Sequence, residues 1–184
     1  MVDGPRRLMI TGSSGAGKTR LAATLSARLG IPHIELDGIY QGPNWTHPSP
    51  AEFRTRVAEL ASGPSWVIDG NYTVISDVVR ARAELLVALD LSRPVVLTRL
   101  LHRTATRMLT GAELWNGNRE DWRNLLTYDP ELNILLWSHQ NFGRLRRRAR
   151  EDERAGRSGG LPAVRLTSRA QVVRFIDYLT DLGR

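Results

Sequence analysis

Apolar residues along this chain follow two alternating patterns: short unbroken runs, and longer stretches with apolar positions three or four apart. Leu8-Met9-Ile10-Thr11 is a run of the first kind, ends in a glycine cluster and predicts a buried strand. Leu21, Leu25 and Leu29 then share one helical face, with Gly30 as a left-handed cap and Pro32 as a stop. His33-Ile34-Glu35-Leu36 predicts a second strand, and Gly38 to Pro50 a loop rich in glycine, proline and aromatics. Ser49 caps the next helix, whose apolar stripe is Phe53, Val57 and Leu60. Trp66-Val67-Ile68 reads as a third strand ending at Asp69-Gly70, and Leu85 to Leu89 as a fourth ending at Asp90. The fourth does not alternate, which implies cover on both faces. Pro94 to about Leu109 is helical, and Thr110 to Tyr128 has no clean period and reads as a mobile, polar insert. Asp129-Pro130 opens a long helix through about Arg154, and Gly156 to Pro162 is a flexible break. Ala163 to Leu166 is a fifth strand, and Ser168 to Leu182 a closing helix.

Strands alternating with helices predict an α/β fold with a central parallel sheet. The 184 residues suit one domain of ordinary size. The absence of cysteine excludes disulfides and Cys-ligated metal sites and agrees with a reducing compartment. The longest apolar run, Leu85–Leu91, is broken by Asp90 and is far too short for a membrane span. The expected location is the cytoplasm, with no membrane partner. The net charge of +7 keeps a nucleic-acid partner in view. That charge is almost all arginine, and Lys18 is the single lysine.

Gly12-Ser13-Ser14-Gly15-Ala16-Gly17-Lys18-Thr19 fits G-x-x-x-x-G-K-[ST] at every fixed position. It follows a predicted strand and opens a predicted helix, the context that phosphate binding requires. The glycines let backbone N–H groups turn inward on phosphate oxygens, and the positive end of the helix adds to the field. Lys18 reaches the β- and γ-phosphates of a bound nucleotide, and the Thr19 hydroxyl is placed to ligate Mg²⁺. A compact ammonium on a flexible stem suits this position better than a guanidinium, which accounts for the one lysine in an arginine-rich chain.

Asp37, Asp69 and Asp90 stand at strand ends, where open parallel sheets bind ligands. Asp69 is read as a magnesium-side residue and Asp37 as the group that orients or deprotonates an acceptor hydroxyl; the plain alternative for each is a cap or loop carboxylate. Asp90 is read as the cap of the following helix. Arg99, Arg103 and Arg107 fall at i, i+4 and i+8 with no acid between Arg93 and Gly111, so they call for an anion, either a nucleotide phosphate or solvent salt. Arg119 and Arg123 lie in the polar insert. The run Arg144, Arg146, Arg147, Arg148 and Arg150 points around most of a helix and reads as a solvated helix end. Tyr40, Trp45 and Tyr72 flank the strand ends and either stack on a base or sugar or cover the core under the long loop. His33, His47, His102 and His139 lack metal-ligand spacing and read as structural or surface residues.

The loop at 12–19, Ile34-Glu35-Leu36-Asp37, Val67-Ile68-Asp69-Gly70 and Leu89-Asp90 before an arginine-bearing helix resemble the adenylate kinase-like P-loop kinases. Asp37-Gly38-Ile39-Tyr40 with Trp45, and Ile68-Asp69-Gly70-Asn71-Tyr72, look most similar to the topology-modulation (FlaR-like) proteins and "adenylate kinase and related kinases". The resemblance implies a P-loop NTPase three-layer sandwich, with a five-stranded parallel sheet in the order 2-3-1-4-5. It implies a single kinase domain over 1–184, an acceptor-side segment at about 38–65 and a lid at about 108–128. It also implies an adenine site near Thr167–Arg169, including Ser168. Nucleoside monophosphate kinases carry Asp-Gly-Phe-Pro-Arg after the third strand; here Asp69-Gly70-Asn71-Tyr72-Thr73 has no arginine, leaving Arg54 or Arg80 as substitutes. The Asp37 position also resembles the hydroxyl-binding aspartate of shikimate- and gluconate-type kinases.

These readings converge on an ATP- and Mg²⁺-dependent phosphotransferase acting on a small acceptor, a nucleoside, a nucleotide or another hydroxyl metabolite. Lys18, Arg103 and Arg107 stabilise phosphoryl charge, and Gly12 to Thr19 with Arg99 bind nucleotide. Thr19 and Asp69 hold the metal, and Asp37, Tyr40, Trp45, Arg54, Asn71, Tyr72 and Arg119 face the acceptor. A nucleic-acid-associated ATP-binding protein and a metabolite-phosphorylating toxin component are the rival readings.

Overall fold

The computed structural model describes residues 4–129 and 133–182. Five strands, β1 (Arg7–Gly12), β2 (His33–Glu35), β3 (Trp66–Asp69), β4 (Leu85–Leu89) and β5 (Ala163–Leu166), form one sheet in the order β2-β3-β1-β4-β5. Every pairing is parallel, with Ile10 opposite Asp69 and Val87, and Glu35 opposite Asp69. The strand order is the one implied by the family resemblance.

Among the described residues seven α-helices connect and cover the strands: α1 (Lys18–Leu29), α2 (Leu36–Tyr40), α3 (Pro50–Ala61), α4 (Ser76–Arg80), α5 (Arg93–Thr110), α6 (Ile134–Arg157) and α7 (Arg169–Leu182). Side chains leave alternate faces of each strand, so β4 feeds two cores at once. Leu85, Val87 and Leu89 join Leu21 and Leu25 of α1, Val96 of α5 and Phe175 and Leu179 of α7. Leu86 and Ala88 join Phe53, Val57 and Ala61 of α3, Val79 of α4 and Ala149 of α6. Each such large apolar side chain contributes roughly 1.5–3 kcal/mol on burial. This two-sided cover is why β4 is continuously apolar.

Local signals fix several ends. Gly30 closes α1 in the left-handed conformation (φ 64°). Ser49 and Glu52 form a reciprocal capping box at α3. Other expectations are corrected. The segment after β2 is not all loop: α2 carries Asp37, and a 3₁₀ turn follows at Pro43–Trp45. Leu60 is exposed and Ala61 takes its place in the core, because the α3 stripe drifts by one position over its last turn. Asp90 does not cap α5; it is buried between Arg165 (2.9 Å) and Arg146 (3.3 Å), and Ser92 precedes the helix. The long helix is capped by Asn133, whose Oδ1 accepts from the Leu135 and Leu136 N–H groups, and Pro130 lies outside the described residues. It runs on through Arg157, into the stretch expected to be a break. No described helix is long and apolar enough to cross a membrane.

Candidate active site

The phosphate-loop sequence bends from the end of β1 into α1, as the motif requires. Gly15 sits against α5: a Cβ there would lie 2.5 Å from the Val96 carbonyl oxygen, at a φ of +87°. No residue with a side chain fits that approach. At Gly17 a Cβ would meet nothing within 4 Å, and there glycine is required by the backbone alone, at a φ of +96°. Asn71 braces the loop from β3. Its Nδ2 donates to the Gly12 carbonyl (2.5 Å), and its Oδ1 accepts from the Gly12 N–H (3.2 Å). Asn71→Ala removes both bonds and is expected to cost about 1–3 kcal/mol in urea unfolding while weakening nucleotide affinity. Unchanged values in both measurements would show that Gly12 is held without it.

Three carboxylates converge beside Lys18. The Thr19 hydroxyl donates to Asp69 Oδ2 (2.8 Å) and approaches Glu35 Oε1 (3.3 Å). His33 Nε2 lies 3.0 Å from Asp69 Oδ1. In sequence Glu35 carries no role and His33 reads as a structural or surface residue; the β2–β3 register brings both in by setting Glu35 opposite Asp69. Burial holds the Lys18 ammonium below the usual lysine value, Asp37 and Asp69 oppose that shift, and Arg103 adds to it. The Tyr72 hydroxyl donates to Asp37 Oδ1 (2.7 Å). Burial first, then the Asp37 charge, pushes the Tyr72 pKa far up, so the phenol remains a donor at working pH.

The arginine stripe divides. Arg103 is half-buried, and its Nε has no hydrogen-bond partner among the described residues. Its charge is felt at Lys18, and the charges of Asp37 and Glu35 are felt at Arg103. Arg107 is met by Glu120 of the insert (3.0 Å). Arg99 is exposed. A glycine-rich loop at the start of α1, a desolvated ammonium and a buried orphan guanidinium N–H fit an anion of the phosphate class.

Other expected residues take positions that the sequence left open. Tyr40 stacks on His47 (4.5 Å between centroids) and packs edge-on to Phe53, with Tyr72 beside both, so these aromatics build a cluster over the core. Arg54 is committed at the surface to Asp77 and the Val74 carbonyl. Thr167 and Ser168 are tied to Gln171 at the start of α7. Arg119 is exposed and pairs in a bridge with Glu113.

The insert is pinned where a mobile segment was expected. Asn118, 4% exposed, donates to the Gly42 carbonyl (2.9 Å) and accepts from the Trp45 N–H (3.0 Å). Asn116 donates to the Gln41 carbonyl (2.5 Å), and the Trp115 ring lies against Gly38. The insert therefore docks on the loop that follows Asp37. Asn118→Ala leaves two half-buried backbone groups, the Gly42 carbonyl and the Trp45 N–H, without this partner. Amide exchange across 38–46 and 113–119 is expected to rise about tenfold or more, and unaltered protection would show that the latch lies elsewhere.

No protein-family model matches the chain. The uncharacterized protein YqaC of Bacillus subtilis is 27% identical over 135 residues, which are 72% of this chain and 71% of that protein. Among solved structures, a gluconokinase from Sinorhizobium meliloti superposes with a TM-score of 0.52 at 16% identity, over 99% of both chains. A shikimate kinase from Acinetobacter baumannii, in complex with shikimate, gives 0.56 at 17% identity, over 96% of this chain and 92% of that one. A shikimate kinase from Bacteroides thetaiotaomicron gives 0.52 at 17% identity, over 97% and 98%. At these identities the likeness is one of fold: an all-parallel five-stranded sheet with helices on both sides, as in the P-loop kinases.

Proposed function

We propose that the chain is an ATP-dependent phosphotransferase that moves the γ-phosphoryl group to a hydroxyl of a small acceptor. The observation that carries this reading is the meeting of Lys18, the Thr19–Asp69 hydrogen bond and the Tyr72–Asp37 hydrogen bond at one end of the sheet. The first two provide the phosphate and magnesium side, and the third the acceptor side.

In this reading the loop amides from Gly12 to Thr19 and the Lys18 ammonium hold the β- and γ-phosphates. Arg103 spends its orphan N–H on phosphoryl oxygen. Thr19 and Asp69, with Glu35 alongside, would hold Mg²⁺, which would supply positive charge against the nucleotide phosphates. Tyr72 occupies one oxygen of Asp37 and fixes its carboxylate. The other oxygen is then left to accept the proton of the acceptor hydroxyl. That hydroxyl oxygen bonds to the γ-phosphorus, the bond to the bridging oxygen breaks, and ADP leaves. Trp45 and the insert, latched over the loop after Asp37, shape the acceptor side and exclude water from it.

A filtered pool of small metabolites, tested for ADP release with Mg²⁺-ATP, decides the reading. Saturable, acceptor-dependent release supports it. Basal hydrolysis alone, together with salt-sensitive DNA binding, would replace it with the nucleic-acid-associated reading suggested by the net charge.

A further inference from the structure

A small cavity of about 30 Å³ lies on the α3–α4 side of the sheet, beside the start of the phosphate loop. Gly12, Tyr72, Ser76, Arg80, Arg148 and Asp152 are among the residues that line it. Two guanidinium groups converge there on one hydroxyl: Arg80 Nε donates to Ser76 Oγ at 3.1 Å, and Arg148 donates to the same oxygen at 2.8 Å. Arg80 also pairs with Asp152 (2.7 Å). No described acid pairs with Arg148. Ser76 is buried, and with both guanidinium groups donating to its oxygen, its own proton has no acceptor among the described residues.

The lining therefore holds two cations against one carboxylate, with a hydroxyl proton to spare. Two like charges brought half out of water around one oxygen are costly unless an anion completes the set. The surplus is a single positive charge, which a carboxylate balances and a phosphate dianion would exceed. The volume has room for a small planar group and not for a whole metabolite. Tyr72 lines this cavity and donates to Asp37, while Gly12 opens the phosphate loop. Tyr72 and Gly12 thus form the wall that the cavity shares with the acceptor and donor sides of the site.

We propose that this cavity holds the carboxylate of the phosphoryl acceptor, so that the acceptor is a small hydroxy acid. The inference rests on the kinase reading and deepens it. Arg148 supplies the unmatched charge, Ser76 the spare donor, and Arg80, fixed by Asp152, the second guanidinium. In sequence Arg148 belonged to a run read as a solvated helix end; the packing of Ala149 into the core turns Arg148 inward.

The test uses the full chain loaded with Mg²⁺-ADP, which occupies the phosphate loop. D-glycerate and D-gluconate are titrated against their uncharged counterparts, glycerol and D-glucitol, by calorimetry. At least one acid should bind about tenfold or more tighter than its counterpart. Arg148→Met should erase that preference, and Arg148→Lys should retain part of it. If Arg148→Met does not fold, Ser76→Ala removes only the hydroxyl on which both arginines converge and should narrow the same ratio. Equal binding of acids and polyols, or a preference that survives Arg148→Met, overturns the proposal. Phosphoryl transfer to uncharged acceptors alone also overturns it and leaves the kinase reading standing. Absence of ATP binding by the wild-type chain would overturn both.

Discussion

Lys18→Ala is expected to lower ATP affinity by about 100-fold or more, roughly 3 kcal/mol, while the chain stays folded. Lys18 is half-buried, and no hydrogen bond or ion pair joins it to a described residue. Its pKa is lowered chiefly by burial, so holding the ammonium in the folded chain without a ligand carries a free-energy cost. Removing the charge relieves that cost, and the ligand-free variant should melt no lower than wild type. Calorimetric titration with Mg²⁺-ATP beside a thermal melt reads both quantities. Undiminished affinity would show that the loop at 12–19 does not hold the donor. A lowered melt would show that Lys18 is a structural ion partner.

Asp37→Asn is the second large effect, and it falls on turnover. The amide cannot take a proton at neutral pH, and loss of a positioned general base typically costs 10²- to 10⁴-fold. Asp37 is held by Tyr72 rather than by the phosphate loop, so ATP affinity should stay within a few-fold of wild type. Tyr72→Phe removes the hydrogen bond and keeps the base. It should therefore slow transfer less than Asp37→Asn, in kcat more than in ATP affinity. Single-turnover transfer with each variant separates these outcomes. Full acceptor-dependent turnover by Asp37→Asn would remove Asp37 from the chemistry.

The two-core architecture was legible because it depends on local pattern. β4 is apolar at every position since both of its faces are covered, and Gly30 and the Ser49 box mark helix ends by short-range geometry. The phosphate loop was legible because its chemistry fixes residue types at fixed spacing. Partnerships between distant residues were not legible. Asp90 looks like a cap in sequence, yet two arginines 56 and 75 positions later take it. Asn71, at a strand end, looked like a substrate contact, yet it clamps the Gly12 peptide. The insert looked mobile because polar residues without period carry no packing signal; Asn116 and Asn118 instead satisfy backbone groups of the loop after α2. Glu35 and His33 reach Asp69 through sheet register alone.

In a phosphotransferase of this kind the donor's phosphoryl group passes to an acceptor and not to water. Phosphorus NMR of a reaction containing the wild-type chain, Mg²⁺-ATP and a filtered metabolite pool tests it most directly. One new phosphoryl ester is expected for each ADP formed, with formation lost in Asp37→Asn. ADP matched one-for-one by free phosphate, at a rate indifferent to the metabolite pool, would contradict it.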